Sequence, residues 1–227
     1  ENWRASREVG GTPGAYNFTP QSNDGTIPPD GVVRTVDRYY KFDGTAADSA
    51  GRPTSVNGSL MNGAGFVDAF PSIVGSGQAL TLNGINQYVN IPDSVQPTAY
   101  TLSAWVRPDV IRAQSIVLRS NASGPASSFS HQLRMTSDGK FEHFTQTGTA
   151  QRVTGSTVAV AGQWYHVAAV ATSDGPMKLF VNGTEEGTAL TIPSLTATGT
   201  RWMVGSNSGG GMSYFLGQID EVGIWHG

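Results

Sequence analysis

Residues 163–183 read QWYHVAAVATSDGPMKLFVNG and carry the clearest fold signal in the chain. Two runs rich in apolar and β-favouring residues flank Asp174-Gly175, and the second run ends at Asn182-Gly183. Both dipeptides are typical of the tight turns of β-hairpins, because their residues tolerate positive φ angles. Residues 163–183 therefore predict short antiparallel strands joined by hairpin turns.

The same arrangement recurs elsewhere in the chain. HQLRMTSDGKFEHFTQ (131–146) repeats it around Asp138-Gly139, and QALTLNGINQYVNI (78–91) repeats it around Asn83-Gly84. TLSAWVRP (101–108) alternates with period two, as a half-buried strand does. About a dozen short strands and no amphipathic helix predict an all-β fold, a two-sheet antiparallel sandwich.

Composition excludes several classes of function. The net charge of -3 gives no electrostatic basis for binding nucleic acid or an anionic membrane. The absence of cysteine excludes disulfides, thiolate metal sites and cysteine nucleophiles. No run of apolar residues approaches the ~18 that a membrane-spanning helix needs, so no membrane insertion is predicted.

Residues 1–35 differ from the rest of the chain. They contain Gly10-Gly11, Pro13-Gly14 and Pro28-Pro29 and show little apolar periodicity. They predict a linker or the tail of a preceding domain, with the β-domain spanning 36–227. The alternative is an ordered arm that packs on the main domain through its aromatic residues Trp3, Tyr16 and Phe18.

Seven segments, in this order, resemble the laminin-G-like jelly rolls of the concanavalin A-like lectin/glucanase superfamily. They cover residues from about 38 to 226 and read YYKFDGTAADSAG, NGSLMNGAGFV, GQALTLNGINQYVNIPDS, YTLSAWVRPD, GQWYHVAAV, MKLFVNGTEEG and VGSNSGGGMSYFLGQIDEVGIW. The resemblance implies an all-β, two-sheet antiparallel jelly-roll sandwich. NWRASREVGGTPG near the N-terminus resembles the tail of a lamin-tail-type domain, a common neighbour in bacterial surface proteins.

The sequence argues against catalysis. Polysaccharide-cleaving enzymes of this superfamily carry Glu-x-Asp-x-Glu on one strand, because only alternate residues share a face. Asp220 and Glu221 are adjacent, as are Glu185 and Glu186, so neither pair forms the required arrangement. No nucleophile elbow, zinc-hydrolase motif or phosphate-binding glycine loop is present. We therefore predict that the protein is not an enzyme.

A calcium site is the metal centre that the sequence favours. Calcium takes six to eight oxygen ligands, and turn-rich segments with Asp and Asn supply them. FDGTAADSAG contributes Asp43 and Asp48, and NGSLMNG contributes Asn62. In the jelly rolls that this chain resembles, the Asp of the terminal IDEV segment helps to hold calcium, which implies that Asp220 lies beside the Asp43 loop.

Two expectations concern the terminal strand. Asp220 would be buried because it binds the ion; the alternative is that it only accepts backbone N–H bonds from a turn. By alternation, Glu221 would share a face with Ile219 and Trp225 and reach a basic partner or solvent.

Ligand contacts are predicted from residue type and position. Sugar sites in such folds use aromatic rings for stacking and amide or arginine groups for hydroxyls, on the concave sheet or the loop rim. The alternative for each residue is an ordinary solvated surface position. The predicted ligand-binding residues are Arg119, His143, Arg201, Asn207 and Tyr214.

The functional hypothesis is a non-catalytic, calcium-stabilised binding module that recognises glycans or a glycosylated surface. It would belong to a secreted or cell-surface protein of bacterial origin, next to neighbouring domains. Two alternatives stay open: a structural or adhesive spacer that contacts protein partners, and an accessory module or catalytic variant of a polysaccharide-degrading enzyme.

Overall fold

The computed structural model describes residues 36–72, 74–120, 129–195, 199–206 and 213–227. Within these ranges the protein has fifteen strands and no helix, so nothing there is a candidate for a membrane-spanning helix. The predicted linker at 1–35 lies outside the described residues. The strands are β1 (Arg38–Tyr40), β2 (Ser59–Met61), β3 (Gly65–Val67), β4 (Ala79–Asn83), β5 (Tyr88–Pro92), β6 (Ala99–Pro108), β7 (Gln114–Ser120), β8 (Phe129–Met135), β9 (Lys140–Gln146), β10 (Ala150–Val158), β11 (Tyr165–Thr172), β12 (Gly175–Val181), β13 (Thr184–Ile192), β14 (Arg201–Val204) and β15 (Leu216–His226).

The strands form two antiparallel sheets. The first sheet has the order β13-β12-β11-β6-β15-β4-β3, and β1 pairs additionally with β15. The second sheet has the order β10-β9-β8-β7-β14-β5-β2. The predicted two-sheet jelly-roll sandwich is confirmed.

Hairpin turns lie where the dipeptides predicted them. Asp174 and Asn182 adopt positive φ angles of 53° and 50° and connect β11 to β12 and β12 to β13. Gly139 has a positive φ of 83° in the turn between β8 and β9, and Gly84 has a positive φ of 68° in the turn between β4 and β5. These turns fix the register of each hairpin and therefore which side chains face the core.

The core lies between the sheets and follows the alternation of the strands. Leu102, Ala104 and Val106 of β6 are buried in it, as are Trp202 and Val204 of β14. The residues between them point to the opposite side of their sheet, because successive side chains of a strand alternate. Each sheet therefore has an inner face in the core and an outer face.

The outer face of the second sheet has its own small apolar cluster, separate from the core. Tyr88, Leu118 and Met203 form it, with Met61 and Tyr214 packed against them. Residues that pair with members of this cluster across the neighbouring strands point to the same side of the sheet, so together they form one surface. We call it the outer face of the second sheet; its further members are Asn90, Gln132, Arg134, Glu142, Phe144, Arg152, Thr154 and Arg201.

Candidate functional site

Strand β15 contains a β-bulge at the two adjacent carboxylates. Asp220 is opposite Trp105 but Gly223 is opposite Ser103, so β15 has one extra residue there. That residue is Glu221, whose φ of 52° is unusual for a residue with a side chain. The bulge breaks the strict alternation on which the prediction for Glu221 was based.

Glu221 is therefore not where alternation placed it. The residue is only 2% exposed, and its Oε2 has no hydrogen-bond partner among the described residues. Burial raises the pKa of the Glu221 carboxyl to about 8. The expectation that Glu221 reaches solvent or a basic partner is corrected: its carboxyl group is buried without a cationic partner in the described part of the chain.

Asp220 lies within electrostatic reach of Asp43. Asp220 is 2% exposed, and its Oδ1 accepts a hydrogen bond of 2.9 Å from the Glu221 N–H. Burial, with a smaller contribution from the negative charge of Asp43, raises the pKa of Asp220 to about 8. Asp43 is held in turn by the Gln78 N–H, which donates to its Oδ1 at 2.9 Å.

Asp48 and Asn62 have other roles in the structure. The Asp48 carboxylate accepts three backbone N–H bonds of 3.0 Å, from Tyr39, Ala50 and Val56. Asn62 lies in the turn between β2 and β3, where its amide donates to the carbonyl oxygen of Asn86 at 2.7 Å. In the described residues, no three His, Asp or Glu side chains form a metal-binding group. Of the predicted ligands, Asp43 and Asp220 interact electrostatically, whereas Asp48 and Asn62 bind backbone groups, and the metal site stays a prediction.

One half of the outer face of the second sheet is aromatic and polar. The rings of Tyr88 and Tyr214 lie 6.2 Å apart at 35°. Arg201 reaches towards Asn90, and its Nη1 donates to the Asn90 side-chain oxygen at 3.3 Å. Two of the predicted ligand residues, Arg201 and Tyr214, therefore belong to this face.

The other half of the outer face is a charged cluster. Arg134 donates to Glu142 through Nε at 2.8 Å and through Nη2, while the Thr154 hydroxyl donates to the second Glu142 oxygen at 2.7 Å. The Phe144 ring lies 4.7 Å from the Arg134 guanidinium and 5.2 Å from that of Arg152. These residues were not predicted; the available signal was the alternation of 140–146, which puts Glu142 and Phe144 opposite His143.

Arg119 and His143 lie in the interior, which corrects their assignment as ligand contacts. Arg119 is fully buried, stacks 5.1 Å above the Trp202 ring, and donates to the carbonyl oxygen of Gly199 at 2.8 Å. His143 is fully buried and bridges the two sheets. Its Nδ1 donates to the Lys178 carbonyl at 2.9 Å, and its Nε2 accepts from the Tyr100 hydroxyl at 2.7 Å. Asn207 lies outside the described residues.

Comparison with known families agrees with this geometry. A laminin-G-type family, described as the concanavalin A-like lectin/glucanases superfamily, matches residues 83–227. The chain belongs to this superfamily. Among curated protein sequences, none is significantly similar to the chain.

Several solved structures share the jelly roll of the superfamily. Domain 4 of AbnA, an extracellular GH43 arabinanase from Geobacillus stearothermophilus, was solved in complex with arabinotriose; it is 21% identical, with a TM-score of 0.65, over 86% of this chain and 93% of that domain. The botulinum neurotoxin serotype D ligand-binding domain, in complex with N-acetylneuraminic acid, is 11% identical with a TM-score of 0.60, over 84% and 47% of the two chains. Mouse laminin α1 domains LG4-5 are 14% identical with a TM-score of 0.52, over 63% and 40%. At these identities the likeness shows the fold.

The inter-sheet histidine of this concanavalin A-like domain predicts a pH dependence of stability. Burial lowers the pKa of His143 from 6.5 to about 4. The folded state therefore binds fewer protons than the unfolded state below pH 6.5, and the stability that neutral His143 contributes above that pH is lost as the pH falls towards 4. We expect the destabilisation caused by His143→Gln to shrink by about 2 kcal/mol between pH 7 and pH 4.5.

Urea denaturation at both pH values measures this change. Tyr165→Phe is the control, because it removes a hydrogen-bonded hydroxyl of the first sheet that is bound to Val160 and Gln163 and not to His143. Its effect on the free energy of unfolding should be the same at both pH values. An effect of His143→Gln that does not change with pH would contradict the prediction.

Proposed function

We propose that this protein is a non-catalytic carbohydrate-binding module of a secreted or cell-surface protein. The glycan would bind on the outer face of the second sheet. The observation that carries the proposal is the half-buried ring of Tyr214, which packs on the buried Tyr88 beside the polar groups of Asn90 and Arg201. Sugar rings stack on aromatic faces, and a few placed amide and guanidinium groups fix their hydroxyls.

The superfamily relatives support this proposal by analogy. The arabinanase domain was solved with arabinotriose and the neurotoxin domain with N-acetylneuraminic acid. Fold likeness alone does not assign a ligand. The argument for this chain therefore depends on the composition of its own outer face.

The absence of catalysis is part of the proposal. Hydrolysis of a glycosidic bond needs two carboxyl groups about 5–10 Å apart on the substrate-binding surface. Among the described members of the outer face, the one carboxylate is Glu142, and it is bound by Arg134 and Thr154. A carboxylate that is bound by an arginine and a hydroxyl holds its neighbours in position and is not free to transfer a proton.

A structural calcium ion at Asp220 and Asp43 is the second part of the proposal. Asp220 and Glu221 are buried carboxyl groups without an ion pair to a basic side chain in the described residues. Burying such charges is costly unless they are neutralised or bind a metal. Calcium would neutralise Asp220, with Asp220 and Asp43 as its side-chain ligands and carbonyl oxygens or water completing the shell.

Replacing Tyr214 tests the carbohydrate-binding face. We expect Tyr214→Ala to weaken glycan binding roughly tenfold, because a stacking contact is worth about 1 kcal/mol or more. A glycan array first identifies ligands of the wild-type domain, and isothermal titration calorimetry then compares the variants. Phe180→Ala is the matched control, since Phe180 is a half-buried aromatic residue of β12 in the first sheet.

The outcomes separate the functional hypotheses. Equal affinity of the wild-type protein and Tyr214→Ala, or equal losses in both variants, would contradict the assignment of the site to this face. An array without any bound glycan would contradict the carbohydrate function and favour the structural spacer.

A further inference from the structure

We propose that the glycan recognised by this face is acidic, and that Arg201 binds the carboxylate of a uronic or sialic acid residue. The inference rests on the proposed carbohydrate-binding function. It comes from the hydrogen bonding of Arg201, which leaves most of the donors of its guanidinium group without partners in the described part of the chain.

Arg201 is held in place but not neutralised. It begins β14, paired with Pro92 of β5 on one side and Ser120 of β7 on the other. Its Nη1 makes one long bond of 3.3 Å, to an uncharged amide oxygen of Asn90. Its Nε–H is buried and has no hydrogen-bond partner among the described residues. An unpaired, buried donor of a charged group is costly and calls for an acceptor.

Arg112 and Arg119 also have an Nε without a hydrogen-bond partner among the described residues, but unlike Arg201 each of them donates to two or more backbone carbonyl oxygens. Arg134 is bound to Glu142 through two donors, and Arg119 donates to three backbone carbonyl oxygens. Arg112 donates to the carbonyl oxygens of Gly84 and Tyr214. Ion pairs also engage Arg52, Arg107 and Arg152.

Arg201 stands next to the aromatic pair that would hold a sugar ring. Its partner Asn90 lies two residues from Tyr88 on β5, so both point to the outer face at a separation of about 7 Å. That is roughly the length of one sugar residue. A ring stacked on the half-buried Tyr214, beside the buried Tyr88, would thus present a ring substituent to the guanidinium. The planar arginine fork suits a carboxylate, which it binds with two parallel bonds.

The charge of the outer face agrees with an anionic ligand. Its described members include the cations Arg134, Arg152 and Arg201 but the single carboxylate Glu142, although the chain as a whole has a net charge of -3. Positive potential concentrated on one surface of an acidic protein attracts anionic ligands to that surface.

Pairs of glycans that differ in charge test this inference on the wild-type domain. The probes are α-1,4-linked trigalacturonate with its methyl ester, and 3′-sialyllactose with lactose. We expect an acidic member to bind at least tenfold more tightly than its neutral partner in calorimetric titrations. Arg201→Gln should abolish that difference, whereas Arg152→Gln, which changes another arginine of the same face, should retain it.

Each other outcome overturns a distinct statement. Equal binding of the acidic and neutral partners would overturn the acidic preference while leaving the carbohydrate function intact. Arg201-dependent binding of 3′-sulfolactose without binding of either carboxylate probe would overturn the carboxylate in favour of a sulfate. No binding to any glycan on an array that contains neutral and acidic sugars would overturn the carbohydrate function itself. The wild-type comparison of charged and uncharged probes needs no variant, and thermal melts of both variants establish that they fold.

Discussion

Calcium added to the metal-free protein is expected to raise its melting temperature by about 5–10 °C, and Asp220→Asn is expected to remove this rise. Binding to the folded state alone contributes about 2.7 kcal/mol at a calcium concentration 100 times the dissociation constant. For a domain of this size, 1 kcal/mol corresponds to roughly 2–4 °C. The effect is large because the ion would neutralise the buried carboxylate of Asp220, which also feels the negative charge of Asp43.

The same variant should behave differently in chelator. Burial raises the pKa of Asp220 to about 8, well above the 3.8 of an exposed aspartate. The protonated Asp220 carboxyl therefore stabilises the folded state fully below about pH 4, and this stabilisation is lost as the pH rises towards 8. At pH 8 without metal, Asp220→Asn should be at least as stable as the wild type, because the amide removes a buried charge.

Differential scanning calorimetry in chelator, in calcium and in magnesium measures both effects. Glu185→Gln is the control, since Glu185 is an exposed carboxylate on the first sheet, paired with Lys178. It should retain the full calcium response. Wild-type melts that coincide in all three solutions would contradict the calcium proposal and leave Asp220 as a buried carboxyl that accepts a backbone N–H bond.

The strands and hairpins could be predicted because their signals lie in residues that are adjacent in the sequence. A hairpin turn needs positive φ at one or two positions, and Asp174 and Asn182, each followed by glycine, supply residues that tolerate it. Strand alternation then assigns side chains to two faces. These two features suffice for the strands and the hairpins between them, and the family resemblance supplies their order in the sheets.

Which face is buried could not be predicted from alternation. Alternation puts His143 and Glu142 on opposite faces of β9 without saying which face is buried. His143 can lie in the core because Tyr100 and Lys178 of the opposite sheet satisfy its nitrogens. Such partners come from distant parts of the sequence. The same holds for Arg119, whose acceptors at Val95 and Gly199 are far apart in the chain.

The bulge at Glu221 escaped prediction for a different reason. Bulges that need positive φ are commonly marked by glycine, and here the position is glutamate. Only the mismatch between β15 and β6, which are distant in sequence, shows that an extra residue is present. By contrast, Asp43 was placed beside Asp220 from the family resemblance, since their separation in the chain leaves no local signal.

Asp48→Ala is expected to destabilise the protein by about 3 kcal/mol, because it removes the acceptor of three backbone N–H groups at about 1 kcal/mol each. Those groups belong to Tyr39, Ala50 and Val56, so this one carboxylate links β1 to two positions in the segment between β1 and β2. The corresponding fall in melting temperature is roughly 6–12 °C. It should be the same in calcium and in chelator, since the carboxylate oxygens are occupied by N–H donors.

Asp48→Asn separates the contributions of the two oxygens. Its remaining oxygen can face Tyr39 and Ala50, as Oδ1 does now, while its NH₂ group would face the Val56 N–H, where Oδ2 accepts. Two donors then oppose each other at Val56, so we expect a smaller loss than in Asp48→Ala, of about 1–2 kcal/mol. Asp109→Ala is the control, at an exposed carboxylate that makes weak contacts, a 3.7 Å ion pair with Arg107 and a 3.4 Å hydrogen bond from Gln218, and it should change stability by less than about 0.5 kcal/mol. A loss at Asp48 that grows when calcium is added would instead mean that this carboxylate is a ligand of the ion, and would restore it to the metal site that the sequence predicted.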